Sequence, residues 1–87
     1  MRLLQPFKDI AGVGELIVET DRRTIKSVLL AVAKTYPKLK SEFFDEKGMI
    51  KDYLNIMINE RLVPSGARTI KLKANDELAI FIAVGGG

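Results

Sequence analysis

Apolar residues in the first half of the chain recur at helical spacing. They fall three and four positions apart, on one face of a helix, and they are Ile25, Val28, Leu29, Val32, Ala33 and Tyr36. Thr24 is a favourable N-cap residue, and Pro37 cannot continue the helix. The pattern predicts one main helix between Thr24 and Pro37, with an apolar face that belongs to the core and not to a cofactor site.

Five other segments have the composition or the period of two that is typical of strands. They are residues 2–5, 15–19, 53–59, 69–73 and 78–82. In the third segment, Leu54, Ile56 and Ile58 share one side, and Met57 lies on the opposite side. The last segment is almost continuously apolar, which predicts a strand buried on both faces.

The connections between these segments contain turn-forming residues. Residues 8–14 are predicted to be a loop that joins the first two strands in a hairpin, and residues 59–60 and 75–76 are predicted turns. Residues 37–48 combine lysines and acidic residues with Phe43 and Phe44. This composition predicts an irregular connection or a short second helix with one aromatic ring directed inward.

The order of elements is strand, strand, helix and three further strands. One amphipathic helix suffices to cover one face of a mixed sheet, so this order is compatible with an α+β architecture of the ubiquitin-like β-grasp type. We expect a mixed four- to five-stranded sheet packed on one main helix. Residues 1–82 are predicted to form a single β-grasp domain, and residues 83–87 a flexible C-terminal glycine tail.

Composition excludes several kinds of chemistry. The chain of 87 residues contains neither cysteine nor histidine, which rules out a thiolate nucleophile, a disulfide, a sulfur-ligated metal and an imidazole base. The acidic pairs at 45–46 and 76–77 lie among turn formers, where solvated turn carboxylates are favoured over an acid-base pair. We therefore expect no catalytic residue, no metal site and no enzyme activity of its own.

Hydropathy and charge limit the possible partners. No apolar run approaches the roughly 18 residues of a membrane span, and the N-terminus lacks a signal-peptide core, so we expect a cytoplasmic protein without a membrane partner. The net charge is +3, and Arg68, Lys71 and Lys73 form a basic stripe that leaves an RNA-binding module as an alternative. Lysines that alternate on a strand usually discourage edge pairing, and no aromatic residues interleave with these for base stacking. Nucleic-acid binding is therefore disfavoured.

The last four residues, Val84, Gly85, Gly86 and Gly87, follow the final predicted strand. Glycine offers no side chain for packing and loses the most entropy on ordering, so we expect a mobile tail. Four extended residues span roughly 13 Å and would enter a narrow channel without obstruction. The tail therefore presents its terminal carboxylate as a reactant, with a frayed terminus or a cloning scar as the alternative.

Three parts of the chain together carry a family resemblance. Residues 58–63 (INERLV), residues 75–81 (NDELAIF) and Val84 with the glycine end resemble the ubiquitin-like sulfur carriers of the MoaD/ThiS family. Its members include the small subunit of molybdopterin synthase, the thiamine-pathway sulfur carrier and the small archaeal modifier proteins. The chain departs from the molybdopterin branch at Ile82 and Ala83, where that branch usually carries two prolines, and at Gly85, where it carries Ser or Thr.

The resemblance implies a function for the tail. A ubiquitin-activating-type enzyme would adenylate Gly87, with ATP and magnesium used by that partner and no cofactor bound by this chain. The acyl-adenylate would become a thiocarboxylate for sulfur transfer in molybdenum cofactor, thiamine or tRNA thiolation pathways, with a synthase large subunit or a sulfurtransferase as further partner. Alternatively, Gly87 would be joined to lysines of target proteins as a protein modifier.

The resemblance also implies a docking surface beside the tail. By matching motifs, Leu62 and Phe81 are the aliphatic and aromatic residues that would contact the partner. The alternative is that both side chains belong to the core. A β-grasp interaction module with an inert tail remains a further alternative for the whole chain.

Overall fold

A four-stranded mixed sheet forms the centre of the computed structural model, which describes residues 1–18, 24–64, 68 and 70–82. The strands are β1 (Arg2–Leu3), β2 (Asn55–Ile58), β3 (Arg61–Leu62) and β4 (Leu78–Phe81). Their order across the sheet is β1, β4, β2, β3. β1 runs parallel to β4, whereas β2 is antiparallel to both β4 and β3. The predicted mixed sheet is confirmed.

Four helical segments accompany the sheet in the described part of the chain. They are α1 (Phe7–Ala11), α2 (Ile25–Thr35), a 3₁₀ helix (Pro37–Leu39) and α3 (Lys40–Phe43). Within the described ranges, none of them has the length and the apolar composition that crossing a bilayer would require.

The main helix, α2, lies where the sequence predicts it. The Thr24 hydroxyl accepts a hydrogen bond from the Ser27 N–H at 3.1 Å, and the Ser27 hydroxyl accepts one from the Thr24 N–H at 3.2 Å. This reciprocal capping box satisfies backbone donors that a helix start leaves unpaired. The predicted apolar face is buried from Ile25 to Ala33, and Pro37 opens the 3₁₀ helix that follows.

The core lies between the helices and one face of the sheet. Leu3 on β1, Ile80 on β4 and Ile56 on β2 are aligned across three strands, and all three are fully buried. They belong to one apolar cluster with the buried residues of α2. Burial of each such side chain contributes roughly 1.5–3 kcal/mol to folding, so this row fixes the register of the central strands.

Both aromatic residues of the segment after α2 are buried, whereas the sequence predicted one. The Phe43 ring contacts Phe7 edge to face at a centroid distance of 5.2 Å, and it contacts Phe44 edge to face at 6.4 Å. The 3₁₀ helix and α3 form the short second helix that was one of the two predicted possibilities. Phe7 of α1 is the third ring of this aromatic cluster. Sequence periodicity within residues 37–48 does not reveal its contribution.

The prediction of a loop over residues 8–14 is wrong, because α1 occupies most of it. Phe7, Ile10 and Ala11 fall three and four positions apart, so one side of a short helix packs against the core. Gly12 ends the helix with φ 80°, and its N–H donates to the Lys8 carbonyl at 2.8 Å. Glycine is favoured at this helix end because it adopts positive φ without steric cost.

Two predicted strands are reduced to isolated bridges in the described part of the chain. Glu15 lies opposite Arg2, and Leu16 exchanges two backbone hydrogen bonds with Met1, so residues 14–16 follow β1 without forming a full strand. Lys71 bridges to Thr24 and not to another strand. Strands need a neighbour that supplies hydrogen bonds, and alternation alone does not provide one. Residues 19 and 69 of these segments lie outside the described residues.

Burial along β4 alternates, which corrects the prediction of a strand buried on both faces. Leu78 and Ile80 are buried, whereas Ala79 and Phe81 are half-buried. The reason is that the buried helical residues cluster with Leu78 and Ile80 on one face of the sheet. The opposite face of β4 is left accessible, although its residues are apolar.

The fully buried ring of Phe43 is expected to dominate the stability of the α1–α3 contact. Phe43→Ala should lower the free energy of unfolding by about 3–5 kcal/mol, because it removes a buried ring and leaves a cavity. Phe43→Leu should cost less, and Tyr53→Ala, at a half-exposed aromatic position, less than about 1 kcal/mol. Urea unfolding measures all three. Equal losses for Phe43→Ala and Tyr53→Ala would contradict the assignment of Phe43 to the core.

Candidate functional site

Four apolar side chains share the sheet face opposite the core. Leu62 on β3 pairs with Met57 on β2, and Met57 pairs with Ala79 on β4. Side chains alternate between faces along a strand, so Phe81, two residues after Ala79, lies on this face as well. We call Leu62, Met57, Ala79 and Phe81 the outer sheet face.

The two residues predicted to contact a partner both lie on the outer sheet face. Leu62 is 61% exposed, so the alternative that it belongs to the core is wrong. Phe81 is half-buried and does not belong to the group of buried core residues. Two strand spacings and two residues along a strand place their backbones roughly 12 Å apart.

Met57 and Ala79 complete the surface between Leu62 and Phe81, and the sequence did not single them out as site residues. Both are partly exposed and lie directly opposite each other on neighbouring strands. The signal for Met57 was its position on the polar side of an alternating strand. An apolar residue at such a position suggests a contact surface, since exposed apolar clusters mark interaction sites.

The outer sheet face lies next to the start of the tail. β4 ends at Phe81, and the N–H of Ile82 donates to the Gln5 carbonyl at 3.3 Å. Val84, Gly85, Gly86 and Gly87 lie outside the described residues. Phe81 therefore precedes the predicted reactive terminus by six positions.

A set of hydrogen bonds joins the turn before β3 to the turn before β4. The Asn59 N–H donates to the Glu77 carbonyl at 2.8 Å, and the Asn59 Oδ1 accepts from the Glu77 N–H at 2.9 Å. The Asn59 amide Nδ2 donates to Asp76 Oδ1 at 2.9 Å, while Asp76 Oδ2 accepts from the Lys73 N–H at 2.7 Å. We call these bonds the Asn59–Asp76 clasp.

The clasp favours the ionised form of Asp76. Hydrogen bonds from the Lys73 backbone, and then from the Asn59 side chain, lower the pKa of the Asp76 carboxyl from its ordinary value. Because a carboxylate only accepts hydrogen bonds, the Asn59 amide must direct its NH₂ group toward Asp76 and its oxygen toward the Glu77 N–H. Only one orientation of the Asn59 amide therefore satisfies all the hydrogen bonds of the clasp.

The aspartate of each acidic pair accepts hydrogen bonds within its own turn. Asp45 Oδ1 accepts hydrogen bonds from the N–H groups of Lys47 and Met49 at 2.8 and 2.9 Å. Asp76 accepts from its own turn in the same way. In residues 1–18, 24–64, 68 and 70–82, no group of three or more acidic side chains is placed to hold a metal ion.

The basic stripe predicted from Arg68, Lys71 and Lys73 is not a continuous surface. The Arg68 guanidinium donates to the carbonyl oxygens of Lys51, at 2.9 Å from Nη1, and of Leu54. It is committed to backbone acceptors beside β2, and its Nε is buried. Lys71 and Lys73 remain exposed. Two lysines without Arg68 provide little basis for binding a phosphate backbone.

Comparison with known proteins identifies close relatives of the whole chain. A model described as the ThiS family matches residues 1–87. The chain is 31% identical over 87 residues to small archaeal modifier protein 1 of Haloferax volcanii, covering 99% of this chain and 97% of that protein. The crystal structure of SAMP1 from Haloferax volcanii matches with a TM-score of 0.85 and 30% identity, over 99% of this chain and 94% of that one.

A solution structure from a second archaeon agrees with the crystal structure. Small archaeal modifier protein 1 from Methanosarcina acetivorans matches with a TM-score of 0.81 and 30% identity, over 99% of this chain and 92% of that one. These likenesses confirm the predicted ubiquitin-like β-grasp fold.

A glutamate should have different effects at an exposed leucine and at a buried leucine. Leu62→Glu is expected to change the free energy of unfolding by less than about 1 kcal/mol, because Leu62 is largely exposed. Leu54→Glu is the matched control at a position only 1% exposed, and it should prevent folding or cost more than about 3 kcal/mol. Thermal unfolding followed by circular dichroism compares the two variants. An unfolded Leu62→Glu protein would place Leu62 in the core.

Proposed function

Because the chain belongs to the ThiS family, we propose that it is a ubiquitin-like carrier whose C-terminal Gly87 is adenylated by an activating enzyme. The family model spans residues 1–87, so the resemblance carried by the sequence motifs is confirmed at the level of the family. The activation of Gly87, the partners and the fate of the activated group are proposed here from the residues and from that membership.

One structural observation carries the proposal, which is the position of the outer sheet face at the base of the tail. Phe81 lies on that face. Ile82 is the last described residue, and its N–H donates a hydrogen bond to the Gln5 carbonyl. The five residues from Ala83 to Gly87 span at most roughly 18 Å when extended. A partner that docks on the outer sheet face would therefore receive Gly87 within this distance of the contact.

The chemistry requires activation because a terminal carboxylate is anionic at neutral pH and resists nucleophiles. A carboxylate oxygen of Gly87 attacks the α-phosphate of ATP and pyrophosphate leaves, which gives a mixed anhydride with AMP. ATP and magnesium are bound by the activating enzyme, and this chain supplies the carboxylate and the docking surface. Gly86 and Gly85 place no side chain beside the reacting carbon, so a narrow active-site channel can enclose it.

The first fate of the adenylate is a thiocarboxylate. The terminal sulfur of a persulfide on a partner such as a sulfurtransferase attacks the carbonyl carbon of Gly87, and AMP leaves. A thiol of that partner then cleaves the S–S bond, which releases the thiocarboxylate and leaves a disulfide on the partner. The product would deliver sulfur to molybdenum cofactor, thiamine or tRNA thiolation pathways, with a synthase large subunit as one acceptor. Absence of the two prolines after Phe81 argues against the molybdopterin branch in particular.

The second fate is conjugation to proteins, and the names of the relatives favour it. A lysine amine of a target protein attacks the same adenylate, or a thioester derived from it, and an isopeptide bond forms at Gly87 as AMP or the thiol leaves. The relative that matches nearly the whole chain is named a modifier protein. Both fates share the docking surface and the adenylate, and they differ only in the nucleophile.

Removal of the last two glycines should separate activation from docking. Deletion of Gly86 and Gly87 is expected to abolish carrier-dependent exchange between ATP and pyrophosphate by the activating enzyme, because the remaining terminus stops short of the active site. The deleted protein should still bind that enzyme, since the outer sheet face is intact. Leu62→Glu should do the reverse and weaken the complex by about 2 kcal/mol or more, as expected for an interface hot spot. Full exchange activity of the truncated protein would contradict the proposal.

The two fates are distinguishable in cells. We expect a thiocarboxylate at Gly87 to be detected with a thiocarboxylate-selective reagent followed by intact-mass analysis, together with some lysine-linked Gly87 in tryptic digests. A Gly86–Gly87 deletion controls for both signals. Isopeptide conjugates without any thiocarboxylate, under conditions where a known sulfur carrier is labelled, would make protein modification the sole function.

A further inference from the structure

Leu62 depends on elements outside its own strand for its position. β3 contains only Arg61 and Leu62, and it lies at the edge of the sheet. The side chain of Leu62 is 61% exposed, so packing does not hold it. Its place is set by pairing with Met57 and by the turn that precedes it.

The turn before β3 has a conformation that L-residues adopt reluctantly. Asn59 and Glu60 have φ values of 50° and 69°, a region in which side chains other than those of Asn, Asp and Gly are uncommon. Such a turn holds the tight connection between β2 and β3. If it relaxed and the register slipped by one residue, Leu62 would move to the opposite face of the sheet.

The Asn59–Asp76 clasp is the contact that holds this turn. It extends the β2–β4 ladder one step beyond the Ile58–Leu78 pair and adds two bonds from the Asn59 side chain. Leu62 follows Asn59 by three residues, and Phe81 follows Asp76 by five. The same set of hydrogen bonds therefore precedes both Leu62 and Phe81, which lie at the two ends of the outer sheet face.

We propose that Asn59 and Asp76 are positioning residues, which set Leu62 relative to Phe81 so that both side chains contact the activating enzyme together. The inference rests on the proposed function, because it concerns docking for the adenylation of Gly87. Loss of the clasp would leave the tail and each side chain present, but would let β3 move. Binding of the carrier would weaken, and the rate of adenylation from the bound state would not change.

Exchange of the two side chains provides a sharp test. Asn59→Gly removes the side-chain bonds while tolerating the positive φ, and Asp76→Asn places an amide group against the Asn59 amide. Asn59→Asp places two carboxylates against each other. In the double variant Asn59→Asp/Asp76→Asn, the amide at 76 can donate to the carboxylate at 59. Its oxygen still accepts from Lys73, and the carboxylate at 59 accepts from Glu77.

Each single variant is expected to raise KM for the carrier in pyrophosphate exchange by about tenfold, a hot-spot-sized loss, with kcat unchanged. The double variant should return KM to within about threefold of the wild-type value, since an interaction between neighbouring residues is non-additive. Thr24→Ala, which removes the α2 cap on another element, is the control for stability alone. It should lower Tm and leave KM unchanged.

Amide hydrogen exchange of the free protein provides a second readout that needs no enzyme. The Val63 N–H donates to the Ile56 carbonyl at 2.8 Å immediately after Leu62. Its exchange should accelerate at least about tenfold in the single variants through local opening, and it should return toward wild type in the double variant.

Several results would overturn the inference. They are single variants with wild-type KM and Val63 exchange, a double variant as impaired as the singles, or a rise of KM in Thr24→Ala as large as theirs. Failure of the wild-type chain to be adenylated would instead contradict the proposed function. In that case the Val63 exchange rates still decide whether the clasp holds β3.

Discussion

β4 lies between β1 and β2, and the burial of one of its faces under the helices is the constraint on which the rest of the structure depends. Ile80 lies between Leu3 and Ile56, and all three side chains are fully buried under the helices. A one-residue slip would exchange every side chain between faces, so this row fixes the register. The same register directs Ala79 and Phe81 outward, and thus the core determines the candidate docking surface.

Sequence patterns correctly predicted the elements that are stabilised by residues close to one another in the sequence. Thr24, Pro37 and the apolar spacing between them define α2 without help from distant residues, and Asn59 with Glu60 marks a turn by its composition. The exposure of Leu62 follows from the same turn. The limits of α2 and the composition of the turn are visible in neighbours within a few positions, which a sequence displays directly, although Asp76 and Glu77 supply the bonds that hold the turn.

Features that depend on distant partners were missed or misjudged. The short helix α1 is held by the contact of Phe7 with Phe43, which lies 36 positions away in the sequence. Residues 70–73 alternate as a strand would, yet Lys71 bridges only to Thr24, because no strand lies beside them in the described part of the chain. Arg68 seemed a surface cation, but the carbonyl groups of Lys51 and Leu54 bind its guanidinium. Alternation of apolar and polar residues shows that the two sides of a segment differ in polarity. It does not identify the distant segment that pairs with it.

We propose that docking takes place on the outer sheet face and chemistry at the C-terminal glycine. Methyl-labelled protein in complex with the activating enzyme tests this most directly, by cross-saturation from the enzyme to the carrier. Met57 and Leu62 lie on the proposed surface, whereas Met49 and Leu30 are exposed residues of the same types elsewhere on the chain. We expect saturation of the Met57 and Leu62 methyl groups and little at Met49 and Leu30. Saturation of Met49 and Leu30 without Met57 and Leu62 would contradict it.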